Sequence, residues 1–139
     1  MPDRHATGVK DLEEGRGAYA AAGVRAIVEP FIEQMASAYQ AADLVICRAG
    51  AGTVFELAAV GKAALLIPYP HAANDHQRLN AEAAVGAGAA WILTDSACDG
   101  PRLTACIRTA REQPARLAEM GRKARTLARL DAADRVADL

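Results

Sequence analysis

Apolar and polar positions along the chain switch between two periods. Leu44-Val45-Ile46-Cys47, Ala63-Ala64-Leu65-Leu66-Ile67 and Ala89-Ala90-Trp91-Ile92-Leu93 are short, unbroken apolar runs. Runs of that length, bounded by turn residues, predict strands covered on both faces. Val24-Arg25-Ala26-Ile27-Val28 alternates instead and predicts one earlier strand. Ile32, Met35, Ala36, Tyr39 and Ala42 recur at helical spacing, which predicts a helix over 33–41. Further helices are predicted over 9–22, closed by Gly23, and over 53–60, closed by Gly61. Three more follow over 76–87, 101–112 and 114–129, the last with Pro114 at its first position. His5-Ala6-Thr7-Gly8 reads as a turn with no apolar strand before it, and Glu29-Pro30-Phe31-Ile32 as a connection, since Pro30 biases Glu29 away from helix.

Strands alternating with helices of about ten residues predict an α/β fold. The expected architecture is a Rossmann-like, doubly wound parallel sheet that lacks its first strand. At 139 residues the chain is expected to form a single domain, 1–139.

Composition removes several function classes. The chain is 52% hydrophobic with 4% aromatic residues, as in an alanine- and leucine-rich globular protein. Its formal net charge of −1 supplies no field for nucleic acid or an anionic membrane. No apolar run approaches the roughly 18 residues that span a bilayer, and the first residues lack the apolar core of a signal peptide. Cys47, Cys98 and Cys106 are odd in number and without CxxC spacing, which points to a reducing cytoplasm rather than a disulfide framework. The arginine-rich end (Arg116, Arg122, Lys123, Arg125, Arg129) reads as a solvated helix face.

The candidate chemistry lies where strands end. After the 44–47 strand come Arg48-Ala49-Gly50-Ala51-Gly52-Thr53, then Glu56 in the first turn of the predicted helix. A strand, a Gly-rich loop and a helix N-terminus form an anion site, because unpaired N–H groups and the positive dipole end converge there. Thr53, at or near the N-cap, either caps its helix or donates to a phosphate, and the loop alone reads equally as an ordinary βα turn. Glu56 is either dipole-stabilised or an acceptor for ribose hydroxyls. A second polar cluster, Asn74-Asp75-His76-Gln77 with Asn80, opens the helix after the 63–67 strand. Asp75 reads as its N-cap, and Gln77 and Asn80 share a helix face suited to sugar hydroxyls or an N-acetyl group. His71, His76 and Asp75 match no trusted metal spacing, so no metal is expected. There is neither a Walker GxxxxGK[ST] nor a GxGxxG helix opening, which disfavours ATP hydrolysis and nicotinamide. No cofactor is expected.

With both clusters in hand, the chain resembles the nucleotide-sugar-binding half of GT-B glycosyltransferases. Within them it is similar to the MurG type, which adds N-acetylglucosamine to the lipid-linked muramyl-pentapeptide precursor of peptidoglycan. The residues that carry the resemblance are His5-Ala6-Thr7-Gly8, Pro30-Phe31-Ile32-Glu33-Gln34-Met35, the 42–56 segment, Pro68 to His71, and Asp75-His76-Gln77 with Asn80-Ala81. The resemblance implies that the Ile32 backbone binds uracil with Phe31 beside it, and that Ala51, Gly52 and Thr53 hold the diphosphate at the helix N-terminus, with Arg48 and Gly50 also counted as substrate-binding. It implies ribose contacts from Glu56 and N-acetylglucosamine contacts from Gln77, with His76 and Asn80 beside it. The reaction implied is an inverting transfer from UDP-N-acetylglucosamine at the inner face of the cell membrane. The lipid-linked acceptor and the base would then belong to an N-terminal half absent from this chain. Gly52, Phe55 and Ala63 depart from the residues usual in the family. Two other functions remain open: a related GT-B transferase using another UDP-sugar, and a non-catalytic nucleotide-binding fragment.

Overall fold

The computed structural model describes residues 3–128, which fall into two compact units divided between Ala38 and Tyr39. In the first unit, β1 (Asp3–Ala6) and β2 (Ala26–Glu29) flank α1 (Leu12–Ala22). The two strands pair in parallel, from Asp3 opposite Ala26 to Ala6 opposite Glu29.

β1 corrects the sequence-based expectation, which put a turn at His5 and Ala6 and no strand before it. Its four residues are all exposed and only Ala6 is apolar, so no hydrophobic pattern marks it. Backbone pairing with β2 makes the strand, helped by Arg4 Nε donating to Glu29 Oε2 at 2.7 Å. The turn begins one step later, where Gly8 adopts a φ of +77° and its N–H reaches the Pro30 carbonyl at 3.0 Å. Gly23 ends α1 as predicted, left-handed at φ +68°, with its N–H returned to Ala20.

α2 (Met35–Ala41) begins in the first unit and ends in the second. The second unit continues with β3 (Val45–Cys47), α3 (Ala51–Val60), β4 (Ala64–Leu66), α4 (His76–Gly86), β5 (Ala90–Ile92), α5 (Gly100–Glu112) and α6 (Pro114–Arg125). Its sheet is parallel in the order β3-β4-β5. The central strand is fully buried, with Leu65 and Leu66 closed to solvent. β3 departs from the expectation of burial on both faces: Ile46 is 39% exposed. It is an edge strand of this three-stranded sheet, so only β4 has neighbours on every side within the unit.

Alanines at 49, 58, 64, 81, 84 and 90 fill much of the core and allow helices to lie close to the sheet. α3 and α6 meet at two glycines. Gly61 closes α3 at φ +68°, and a Cβ on Gly121 would fall on the Gly61 carbonyl oxygen and 3.3 Å from its carbon. Gly121→Ala gains up to about 1 kcal/mol of intrinsic helix preference. Overpacking against backbone costs about 1–3 kcal/mol, and a contact this close sits near the top of that range. A net loss of about 1–2 kcal/mol is expected from urea unfolding; an unchanged midpoint would mean that α6 shifts freely.

The arginine-rich end is only partly a solvated face. Arg116 lies over the Trp91 ring at 5.2 Å, and Arg125 Nη2 donates to the Val60 carbonyl at 3.4 Å. Arg122 and Lys123 are exposed, and Arg129 lies outside the described residues.

Candidate functional site

Parallel strands of one sheet deliver their C-terminal loops to the same end. In the second unit those loops follow Cys47, Leu66 and Ile92. The first runs through Arg48, Ala49 and Gly50 into α3, which starts two residues earlier than the sequence predicts. Gly50 is the N-cap in extended conformation and makes no side-chain cap. The Val54 N–H is the first to find its carbonyl, on Gly50 at 3.0 Å, so the N–H groups of Ala51, Gly52 and Thr53 lack helical partners. Two expectations change accordingly. Thr53 is the third residue of the helix rather than near its N-cap, and Glu56 is the sixth, in the second turn. The helix dipole acts mainly within the first turn, so it gives little account of a carboxylate at Glu56.

Gln77 and Asn80 fix this loop from α4. Gln77 Oε1 accepts the Ala49 N–H at 3.2 Å and the Tyr69 N–H at 2.9 Å, while Asn80 Nδ2 donates to the Ala49 carbonyl at 3.0 Å. Two backbone donors on one amide oxygen settle which end of the Gln77 amide is which. Its Nε2 lies beside Gly50, 3.9 Å from where a Cβ would stand, with no hydrogen-bond partner among the described residues. His76 is exposed at the start of the same helix.

The loop leading into α4 is unusual. Asn74 and Asp75 are both left-handed, at φ +52° and +56°, a conformation non-glycine residues rarely adopt. Asp75 stands at the N-cap position of α4 but does not cap it, which corrects the prediction. Its backbone is left-handed rather than in the extended conformation usual for a cap, and the carboxylate pairs instead with Arg78 Nε at 3.6 Å.

Arg48 ties the three loops together. Its Nη1 donates to Asp95 Oδ1 at 2.7 Å and to the carbonyls of Ile67 and Pro68 at 3.3 and 3.5 Å. Its guanidinium also lies over the Tyr69 ring at 5.6 Å. Both partners of the ion pair are about half exposed, so water screens it and its net worth is small. Asp95→Asn is therefore expected to cost at most about 1 kcal/mol in denaturant unfolding, and less in high salt. A larger, salt-independent loss would show that the pair holds the loops rigidly.

Sequence reasoning missed two members of this network. Asp95 lies 47 residues from Arg48 and carries no periodic signal. Helical spacing marks Tyr39 only as an apolar position of α2, yet its hydroxyl donates to Glu56 Oε2 at 3.1 Å. A tyrosine on a helix face bound for the core is itself a signal, because its buried hydroxyl needs a partner. Burial, with the Glu56 carboxylate alongside, pushes the Tyr39 hydroxyl up to about 12. Burial likewise pushes the Cys47 thiol up to about 11, so at neutral pH it is an unreactive, protonated thiol.

Phe31 and Ile32 belong to the first unit, in the segment after β2. Phe31 is 68% exposed, and Ile32 is half-buried.

The glycosyltransferase family 28 C-terminal domain model matches residues 4–136. A UDP-N-acetylglucosamine–N-acetylmuramyl-(pentapeptide) pyrophosphoryl-undecaprenol N-acetylglucosamine transferase from Geobacter metallireducens is 49% identical over 134 residues, 96% of this chain and 37% of the relative. A transferase of the same name from Aromatoleum aromaticum is 51% identical over 136 residues, 97% of this chain and 37% of the relative. The chain thus spans little more than a third of the curated relatives it matches. The crystal structure of Acinetobacter baumannii MurG superimposes with a TM-score of 0.86 at 40% identity, over 97% of this chain and 41% of that one. The kitacinnamycin glycotransferase, at 19% identity and a TM-score of 0.62, shares the fold. The Rossmann-like α/β expectation is met by these parallel sheets and their counterpart in a MurG. The chain belongs to the glycosyltransferase family 28 C-terminal domain family.

Proposed function

We propose that the whole chain acts as one donor-binding domain for UDP-N-acetylglucosamine, within an inverting N-acetylglucosaminyltransferase of lipid-linked peptidoglycan precursor synthesis. A single family model running across both units supports treating them as one domain. The names of the relatives support the donor and the acceptor class.

The observation that carries the proposal is that Gln77 meets the loop that opens α3 at the strand ends of the second unit, with Glu56 in the second turn of the same helix. The N–H groups of Ala51, Gly52 and Thr53, without partners among the described residues, suit a diphosphate. Glu56 offers a carboxylate to ribose hydroxyls. Gln77, its oxygen already occupied, offers only N–H donors, which fit the oxygen of a sugar hydroxyl or of an acetamido carbonyl. The Ile32 backbone and Phe31 take the uracil in this proposal, on the resemblance described above.

In the transfer, an acceptor hydroxyl attacks C1 of the sugar. The C1–oxygen bond to the diphosphate breaks, its electron pair leaves with UDP, and the hydroxyl proton passes to a base outside this chain. The share of these residues is electrostatic: oriented N–H donors and a helix dipole stabilise charge building on the leaving diphosphate. Acceptor binding, and any contact with the cytoplasmic membrane face, belong to the part of the transferase this chain does not span. Among the described residues no helix is long and apolar enough to cross a membrane.

Calorimetric titration with UDP-N-acetylglucosamine, UDP-glucose and UDP tests the proposal. The first should bind tightest. Equal affinity for the two sugars would favour the related transferase with another donor, and no binding by any of the three would sink a nucleotide-sugar function.

A further inference from the structure

We propose that Tyr39 is a positioning residue that holds the Glu56 carboxylate in the orientation a ribose diol requires. This rests on the ribose role proposed for Glu56 and names the group that makes that role effective.

Tyr39 is 4% exposed and packs among Ala49, Leu57, Ala64 and Leu66. Burial in that cluster restrains its ring. The hydroxyl emerges from this core at Glu56 Oε2, its sole partner among the described residues, 3.1 Å away. Glu56 is exposed and on its own would sweep three torsions through solvent. A phenylalanine would fill the same core volume, so packing does not account for the hydroxyl. A buried hydroxyl without a partner is costly, and that cost keeps the bond made. A tyrosine hydroxyl keeps its proton across neutral pH in any case, so it stays a donor, and burial raises its pKa further.

A carboxylate has about four acceptor positions. Tyr39 occupies one on Oε2, leaving Oε1 and the rest of Oε2 to take two hydroxyls of a vicinal pair. Fixing the acceptor beforehand lowers the ordering cost of binding. The buried core of the unit is thus wired directly to one hydrogen-bonding group of the ligand site.

The test compares UDP with 2′,3′-dideoxy-UDP on the full chain and on Tyr39→Phe, Glu56→Ala and the double variant. The wild type should prefer UDP, and Glu56→Ala should erase that preference. Tyr39→Phe should weaken UDP about tenfold, the size of one hydrogen bond to a charged group, and leave dideoxy-UDP unchanged. In the Glu56→Ala background it should change neither ligand. Equal weakening of both ligands, or none, overturns the positioning role while the preference abolished by Glu56→Ala still supports the ribose contact. A wild type that does not distinguish the ligands overturns the ribose contact, and the Tyr39 role falls with it.

Discussion

Gln77→Ala is expected to weaken both UDP-N-acetylglucosamine and UDP, the first by about 2–3 kcal/mol and the second by about 1–2 kcal/mol. Read from sequence, Gln77 contacts the sugar, and its loss would fall on UDP-N-acetylglucosamine far more than on UDP. The structure gives the oxygen end of the amide one task, and the proposed function gives the nitrogen end another. The oxygen joins the Ala49 and Tyr69 N–H groups, and so two loops, while the nitrogen has no partner among the described residues. Removing the side chain frees the loop that opens α3, which the proposed site needs for both ligands, and also deletes the donor proposed for the sugar alone. Because the Tyr69 bond is exposed, water replaces part of it, which keeps the shared effect at the lower end. Gln77→Glu separates the tasks. A carboxylate still accepts from both N–H groups but donates nothing. Its charge repels the diphosphate of UDP at least as strongly, so the ratio of the two affinities reports the lost donor. Calorimetry on the pair of variants checks this. If alanine weakens only UDP-N-acetylglucosamine, the loop bonds contribute nothing to binding.

Where a residue's type forces a backbone state, the sequence is easy to read. Gly23 and Gly61 were each predicted to close a helix, and both are left-handed at +68°. The run at 63–67 reads as a covered strand because β4 has neighbours on both edges. Legibility fails where the cause lies elsewhere in the chain. β1 is polar and exists by pairing with β2. The start of α3 is hidden because Ala51 and Gly52 look like a continuing turn, glycine being a poor helix former. That two-residue shift alone moved Glu56 out of the first turn.

The candidate site shows the same division. That both polar clusters lie on loops at the carboxyl ends of parallel strands, where such sheets collect ligands, is legible in the sequence. The assignments within it were not. Arg48 needs Asp95 and Tyr69 to define its position, and Gln77 needs the Ala49 backbone; none of these contacts leaves a pattern at short range.

Glu56→Ala is expected to weaken UDP binding by about 1–3 kcal/mol, and to do so with little loss of helix, since alanine and glutamate have similar helical preference. The position in the second turn matters to the size. A first-turn carboxylate would repel the diphosphate at the helix end while favouring the dipole, and its removal would have mixed sign. At the sixth position the dipole contribution is small, so the loss of the proposed ribose acceptors decides the outcome. Stability should fall by about 1 kcal/mol, because the buried Tyr39 hydroxyl loses its partner. Glu56→Gln is the informative intermediate. Its amide oxygen can still accept from Tyr39, which restores the stability, but it offers the ribose one acceptor in place of two and no charge. Affinity for UDP should therefore run wild type, glutamine, alanine, with stability nearly equal in the first two. An alanine variant that binds UDP as the wild type does would end the ribose role and leave Glu56 serving only the tyrosine beneath it.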